Sequence, residues 1–324
     1  MRLKMKIWFL AVASLMAVAT AAFAEDYPTH AIRLLVGYPP GGGPDTVARV
    51  LGQRMSQILK QSIVIENRPG AGATLATNQT AKAAADGYTL LLAETGQVVI
   101  APYIYKALPY DPIKDFTPIG LAVLAPMVLI SNSKTTNIKT LADLVRQAKA
   151  NPGKIDYASP GIGTIHHIAV EMFKSDAGID LTHIPYKGSA QSVAALLSGE
   201  VHVVLSGFTA VAPYAKLGQV NMLAVTSAKR FPGAPDVPML GEFYKGYDYT
   251  SEMGILAPAG VSPEIVAKLS GAMRTALEGP EISERLTTLG LIPAWLSAQD
   301  YAENIRENLK KYKHAVDVSH AAQN

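Results

Sequence analysis

The chain has 324 residues, is 49% hydrophobic and 17% charged, and carries a formal charge of +3. That length suits roughly two domains with a substantial core, and the composition excludes a disordered chain. The absence of cysteine removes disulfides, thiol catalysis, cysteine metal centres and a lipid-modified amino-terminal cysteine.

At the start, Arg2, Lys4 and Lys6 precede an uncharged, mostly apolar run from Ile7 to Ala22, and Ala22-Phe23-Ala24 has the small-x-small form of a cleavage site. This is the pattern of a secretory signal peptide over 1–24, with the mature chain beginning at Glu25. Those three bases account for the whole +3, so the mature chain is formally neutral. Neutrality gives no footprint for nucleic acid or an anionic membrane. No later window approaches ~18 consecutive apolar residues, so a soluble mature protein is expected.

Short apolar runs then alternate with helical patterns. "IRLLVGY" (32–38), "SIVIEN" (62–67) and "YTLLLA" (88–93) read as buried strands. Between them, 44–60 puts Val47, Val50, Leu51, Ile58 and Leu59 on one helical face, and 71–85 is alanine-rich. This β-α-β-α-β order predicts a parallel sheet wound with helices. The proline-rich stretch 102–118 reads as an extended surface segment, anchored by Tyr103, Tyr105 and Tyr110.

A second unit follows. Strands are expected over 127–132, 154–159, 181–186, 201–206, 221–227 and 254–260. Helices are expected over 140–150, 164–177 and 189–198, and two more, over about 262–278 and 297–316, close the chain. Thr140 is placed to cap the first of these helices, and Pro263 falls in a first turn, where proline is tolerated. Trp295 is expected to pack the final helices.

The chemistry is concentrated in glycine loops. "YPPGGGPDTVAR" (38–49) follows a strand and opens a helix. It lacks the Lys-Ser/Thr pair of a Walker loop, and Thr46 stands where a dinucleotide loop needs its third glycine. What remains is bare backbone N–H and the positive end of a helix dipole, suited to a small carboxylate. The loop can equally be a tight turn whose glycines serve the backbone alone. "ASPGIGTIHHIAVE" (158–171) and "IPYKGSAQS" (184–192) repeat the same strand–glycine–helix order. Loops after parallel strands leave one sheet edge, so the three junctions are placed to face each other across a cleft.

The segments "YPTHAIRLLVGYPPGGGPDTVAR", "VIENRPGAGAT", "ADGYTLLL", "LPYDPIKDFTPI", "IDYASPGIGTIHHIAVE", "HIPYKGSAQSVAALLSGEV", "LAVTSAKRFPGAPDVPML" and "GILAPAGVSPEIVAKL" occur in that order. Together they resemble the Bug family, TctC-like periplasmic receptors of tripartite tricarboxylate transporters, over nearly the whole mature chain. The resemblance implies an α/β, type II periplasmic binding protein: two α/β lobes joined by crossing hinge strands, with the ligand cleft between them. The first lobe would hold 25–124 and 229–324, the second 125–228. The ligand would be a di- or tricarboxylate, an acidic amino acid or an aromatic carboxylate. The implied partners are that ligand and the membrane components of the transporter; a periplasmic monomer without cofactor, metal or nucleic acid is expected.

Mapped by motif, the ligand site implied is Tyr38, Gly41, Gly42 and Asp45, then Ser159, Gly161, Gly163, Thr164 and His167, then Tyr186, Lys187 and Gly188. Glu94 and Ser206 join it from the segments 94–97 and 206–209, which together with 249–253 are expected to set specificity. Lys187 is the one cation in the three loops and either neutralises a distal carboxylate or covers the loop with its stem. Asp45 reads as a cap or water holder more than a ligand to a cation. Glu94 could meet a ligand ammonium or be a solvated loop acid. The family often has Pro where Gln191 stands and Asp where Ala195 and His202 stand, which puts the usual ligand list in doubt.

Other chemistries are weaker. His166 and His167 point ~100° apart on a helix and cannot share one metal. His167 with Glu171, His183 and His202 is the sole conceivable metal set, and no H-E-x-x-H occurs. A secreted α/β hydrolase of esters or amides would have to use Ser159, Thr164 and His167, with no evident acid partner and no nucleophile elbow. A sensor partner for a membrane kinase would share the binding fold.

Overall fold

The computed structural model describes residues 27–321; the leader expected over 1–24 lies outside the described residues. The first unit runs β1 (Ile32–Val36), α1 (Gly43–Leu59), β2 (Ile63–Asn67), α2 (Thr74–Ala81) and β3 (Thr89–Glu94). A π-type turn (Gly96–Ile100), the short α3 (Ala101–Ile104) and β4 (Phe116–Ala125) follow. Pro44 in the first turn of α1 and Lys60 in the left-handed conformation beyond its end bound that helix. The second unit runs β5 (Met127–Asn132), α4 (Leu141–Ala150), β6 (Asp156–Ser159), α5 (Ile165–Ala177) and β7 (Thr182–Pro185). It continues through α6 (Ser189–Ser198), β8 (Val203–Gly207), α7 (Phe208–Lys216) and β9 (Val220–Val225). The chain then returns through β10 (Ser251–Pro258), α8 (Pro263–Glu278), α9 (Pro280–Thr288), β11 (Ile292–Leu296) and α10 (Ala298–Ser319).

Two sheets result. One has the order β11-β4-β10-β3-β1-β2 and the other β7-β6-β8-β5-β9. In each, three strands are parallel and an antiparallel strand is inserted beside them: β10 in the first, β5 in the second. The inserted strand is in both cases the one arriving from the other sheet. β4 leaves the first sheet and becomes β5 across the single residue Pro126, and β10 starts where the chain comes back. The two crossings are laced together. Thr226 N–H donates to Met127 O at 3.0 Å, Tyr249 N–H donates to Thr226 O at 3.3 Å, and Ser251 pairs with Ala125. The expected fold, two α/β lobes joined by crossing strands, is the one observed.

The core is arranged to match. Val47, Leu51 and Met55 of α1 meet Leu90, Leu92, Leu269 and Met273 on one face of the first sheet. Val128, Ile130, Val204 and Phe231 fill the outer face of the second. Between the lobes, Leu91, Ala93, Ile165, Phe173, Tyr301, Tyr312 and Val316 form a shared cluster, so α10 packs on β4 and also against α5.

Several elements differ from expectation. β4 crosses the end of the segment read as extended surface. Its Pro118 pairs with Leu256 on one side, while β11 reaches only Leu121–Leu124 on the other, so the missing N–H is not needed. Ala101–Ile104 of the same segment is helical; Tyr110 anchors it as expected, donating its hydroxyl to Gln97 O at 2.6 Å. Trp295 lies on the edge strand β11, over Gly120, where it packs on the cluster that includes Met273 of α8, one of the closing helices it was expected to meet. α7 and α9 were not expected; α7 carries Pro213 in its interior, and Pro280 opens α9 in its first turn.

Candidate functional site

The carboxyl ends of β1, β2 and β3 open onto the loops of the first lobe. After β1 the chain turns through Gly41 at φ +82° into α1. Asp45, 2% exposed, holds this turn shut. Its Oδ2 accepts from Gly41 N–H at 2.9 Å and from Arg49 Nε at 2.9 Å, and its Oδ1 accepts from Asn67 Nδ2 at 2.9 Å. Asn67 also donates to Tyr38 O at 3.0 Å. Burial pushes the Asp45 carboxyl up, but the hydrogen bonds from Arg49, Gly41 and Asn67 together outweigh it and leave the group below its ordinary value. Asp45 is therefore a clamp whose oxygens, like the Gly41 N–H, are already engaged. The cap residue of α1 is Gly42, which offers no side chain. The first-turn N–H groups of Gly43 and Asp45 consequently have no partner among the described residues.

At the end of β3, Glu94 is gripped from two sides. The Tyr38 hydroxyl donates to Oε2, and Ser251 Oγ donates to Oε1 at 2.6 Å. Burial, then the adjacent Glu94 charge, pushes the Tyr38 phenol far up, so it remains the donor. Next to it Thr95 Oγ1 accepts from Glu252 N–H at 2.8 Å, and Glu252 Oε2 takes Asn304 at 2.8 Å and Asn308 at 3.0 Å. Glu94, Thr95, Glu252 and Asn308 line a small cavity of about 10 Å³ against Tyr301 and Ile305 of α10.

In the second lobe, Gly161 (φ +142°) and Gly163 (φ +77°) shape the loop after β6. Thr164 caps α5, accepting from His167 N–H at 3.3 Å and donating to Gly161 O at 2.8 Å. Gly163 N–H donates to His167 Nδ1 at 3.2 Å. Ser159, fully buried, lies 2.7 Å from His183 Nε2 and 3.1 Å from both Gly161 N and Gly161 O. Its one hydroxyl hydrogen serves either Gly161 O or the imidazole. His167 stacks on His183 at 4.2 Å, and His183 on Tyr157 at 4.7 Å, its register partner across β6 and β7. Tyr157 donates to Glu171 Oε1 at 2.5 Å, which also takes Lys174 at 3.0 Å. Of the metal set considered, His202 is elsewhere, accepting from Asp156 N–H at 3.1 Å; among the described residues no three metal-binding side chains converge.

Burial lowers both stacked imidazoles to about 4, helped by Lys174 at His167 and by His167 at His183. The unfolded chain, with ordinary imidazoles near 6.5, takes up these protons first. Their contribution to stability is complete above about pH 6.5 and is lost as pH falls from there towards about 4. Urea midpoints measured at pH 7.5, 6 and 5 are expected to fall, with a limiting slope of about 1.4 kcal/mol per pH unit for each imidazole. A midpoint that stays level from pH 7.5 to 5 would contradict a neutral pair.

The remaining junctions sit beside this one on the same sheet edge. Lys187 is exposed, and its N–H donates to Gln191 Oε1 at 3.0 Å, so Gln191 closes the loop. Tyr186 N–H donates to Ser159 O at 2.9 Å, but its hydroxyl turns away to Glu200 at 2.8 Å. Gly188 (φ +126°) caps α6 without a side chain. Ser206 is fully buried at the end of β8, its Oγ without a partner among the described residues. Gly207 then caps α7, again without a side chain. This fourth junction was missed as a helix start, although Gly207 directly after an apolar strand was the signal.

The lobes meet around these loops. A Cβ on Gly163 would lie 3.2–3.4 Å from Ile104, at the end of α3, and one on Gly290 would lie 2.9 Å from Phe208. Tyr38, Gly41, Gly42, Asp45 and Glu94 thus gather in the first lobe. Ser159, Gly161, Gly163, Thr164, His167, Tyr186, Lys187, Gly188 and Ser206 gather along the β7-β6-β8 edge of the second. The arrangement offers main-chain donors, and its buried Ser159 is engaged by Gly161 and His183. Among the described residues no helix is long and apolar enough to cross a membrane.

Comparison with known proteins agrees with this geometry. Residues 47–319 match the model of the tripartite tricarboxylate transporter family receptor. BugT of Bordetella pertussis is 33% identical over 278 residues, covering 85% of each chain. A protein encoded in the gbd 5′ region of Cupriavidus necator is 37% identical over 95% of this chain and 93% of its own. Among solved structures, periplasmic binding protein BugD has a TM-score of 0.78 at 32% identity, covering 92% of this chain and all of its own. MatC from Rhodopseudomonas palustris with bound malate has a TM-score of 0.75 at 29% identity, covering 90% and 100%. Rpa4515 of R. palustris with adipate scores 0.82 at 31% identity, covering 91% and 99%. With the family model spanning most of its length and its lobes, crossings and capless helix starts in place, this chain belongs to the tripartite tricarboxylate transporter receptors, periplasmic solute-binding proteins and not enzymes.

Proposed function

We propose that this protein is exported by the segment 1–24, captures a small organic acid between its lobes and delivers it to the membrane components of a tripartite tricarboxylate-type transporter. The working unit is a monomer, with 25–124 and 229–324 as one lobe and 125–228 as the other, turning on Pro126 and the Thr226–Ser251 return. The observation that carries this reading is that α1, α6 and α7 all start on a glycine with no side-chain cap. Their first-turn N–H groups and dipoles favour one small anion, released without any bond being broken. The malate and adipate complexes of its relatives support a carboxylate.

The site residues take graded roles in this reading. Gly42 and Gly188 open helices whose first-turn main chain faces the ligand, while Gly161, Gly163 and Thr164 shape the second-lobe loop, their own N–H groups engaged by Ser159, His167 and Gly161. Tyr38, Asp45, Ser159 and His167 hold the loops of both lobes. Lys187 and Tyr186 flank the opening, Ser206 lies beneath it, and Glu94 forms part of the floor. A thermal-shift screen over mono-, di- and tricarboxylates, amino acids and aromatic acids is expected to yield at least one carboxylate ligand. At about 100 Kd that ligand should stabilise the fold by about 2.7 kcal/mol. A transition moved only by sugars or inorganic cations would refute the carboxylate assignment.

A further inference from the structure

The geometry points to an amino acid, not a dicarboxylate, as the ligand, with Glu94 receiving its ammonium group. This rests on the carboxylate-binding reading above and narrows it. Glu94 stands at the carboxyl end of β3, on the same sheet edge as the open start of α1. Its two oxygens are aimed by the Tyr38 hydroxyl and by Ser251 Oγ at 2.6 Å. Ser251 is the first residue of β10, where the chain re-enters this lobe, so the carboxylate is fixed from both sides of the floor. A Cβ on Gly96 would sit 3.3 Å from Glu94 Oε2 and 3.8 Å from the Tyr38 hydroxyl oxygen, so a side chain at this position would crowd the carboxylate, and Glu94 is only partly buried.

Both partners of Glu94 are neutral. Other acids in the two lobes are differently placed: Asp45 has Arg49, Glu66 has Arg33 and Arg68, and Glu171 has Lys174. Among the described residues, no Lys, Arg or His lies within ion-pair distance of Glu94. The neighbouring Glu252 is itself an acid, pushed up by burial, and its Oε2 accepts from Asn304 and Asn308 and not from Glu94's partners. Each Glu94 oxygen accepts one hydroxyl and keeps a lone pair for a further donor. A ligand carboxylate seated on the α1 start and carrying a second carboxylate towards Glu94 meets like charge at close range. An ammonium in the same place gains attraction of similar size. At a few ångströms in a partly buried site, such a difference amounts to roughly 10- to 100-fold in affinity. The hydroxyl clamps keep Glu94 in place before the ligand arrives, so little ordering is needed on binding.

The test is calorimetric titration of the wild-type protein with matched pairs: L-aspartate and succinate, L-glutamate and glutarate, 6-aminohexanoate and adipate. The other natural amino acids and simple organic acids complete the panel. At least one amino acid is expected to bind ten or more times tighter than its matched diacid, about 1.4 kcal/mol or more. Glu94→Gln is expected to weaken that amino acid about 10-fold and to bring the diacid closer to it. If a diacid binds as tightly as its amino partner or better, the amino acid inference is overturned while carboxylate capture stands. If Glu94→Gln folds and leaves amino acid affinity unchanged, the role given to Glu94 is wrong. If no carboxylate of either kind binds, the capture reading itself falls, and this inference with it. The wild-type ratios decide the ligand class even where the variant does not fold.

Discussion

Asp45→Ala is expected to cost about 2–4 kcal/mol of stability and to weaken carboxylate binding about 10-fold or more. The size follows from what the deletion strands. Gly41 N–H, Arg49 Nε and Asn67 Nδ2 all lose their acceptor at once, in a place where Asp45 itself is 2% exposed. Two of them, Gly41 and Asn67, also shape the turn that feeds the open start of α1. Stability and affinity should therefore fall together. Asp45→Asn preserves the shape and some acceptor capacity, and should cost less than half as much. Urea denaturation alongside titration with the best acid from the screen is the check. An alanine variant within about 0.5 kcal/mol of wild type would show that the clamp is ornamental.

Gly254→Ala is expected to cost about 3 kcal/mol or more. An added Cβ would lie 2.6 Å from the carbonyl oxygen of Gly120 and 2.6 Å from two ring carbons of Tyr301. The first is backbone of the paired strand β4, at a point where the β10–β4 register shifts between Met253 and Gly254. The second is a buried ring of α10 packed in the cluster shared by both lobes. Neither can retreat cheaply. Because β10 is also the returning crossing, the loss should appear as a lower urea midpoint and as a broader transition between lobes. Gly271→Ala serves as control: it lies on α8, where a Cβ meets nothing within 4 Å, and the change should be neutral or slightly stabilising. Equal effects at the two positions would refute the packing account.

Much of this architecture was legible in the linear chain. β1, β2 and β3 are apolar runs bounded by glycine or polar turns, and each declared itself in order, as did most strands of the second lobe. β4 did not, because prolines at 109, 112, 118 and 126 masked the run 119–125. The rule that proline breaks a strand has an exception at unpaired positions, and Pro118 occupies one because β11 stops short of it. α7, which carries Pro213 in its interior, was likewise not read from the sequence. At the site, the glycine junctions after β1, β6 and β7 were plain, whereas the one after β8 was overlooked. The departures at Gln191 and His202 proved to be local repairs: each side chain accepts a backbone N–H, from Lys187 and Asp156 respectively.

What the sequence determined unaided is local and periodic: a basic, apolar leader pattern, alternating strands and helices, and glycines at the places where strands hand over to helices. Those features depend on neighbours within a few residues, so they can be read along the chain. What the tertiary structure alone decided is which polar groups are already spent and which remain for a ligand. Glu94 meets Ser251 across 157 positions of sequence, and Ser159 meets His183 across 24. Asp45 acts as a clamp because Asn67, 22 positions on, is folded beside it. A hydrogen bond uses up a donor only when its acceptor is brought within about 3 Å. Folding sets that distance, through a sheet order that places β10 between β3 and β4 and β6 between β7 and β8.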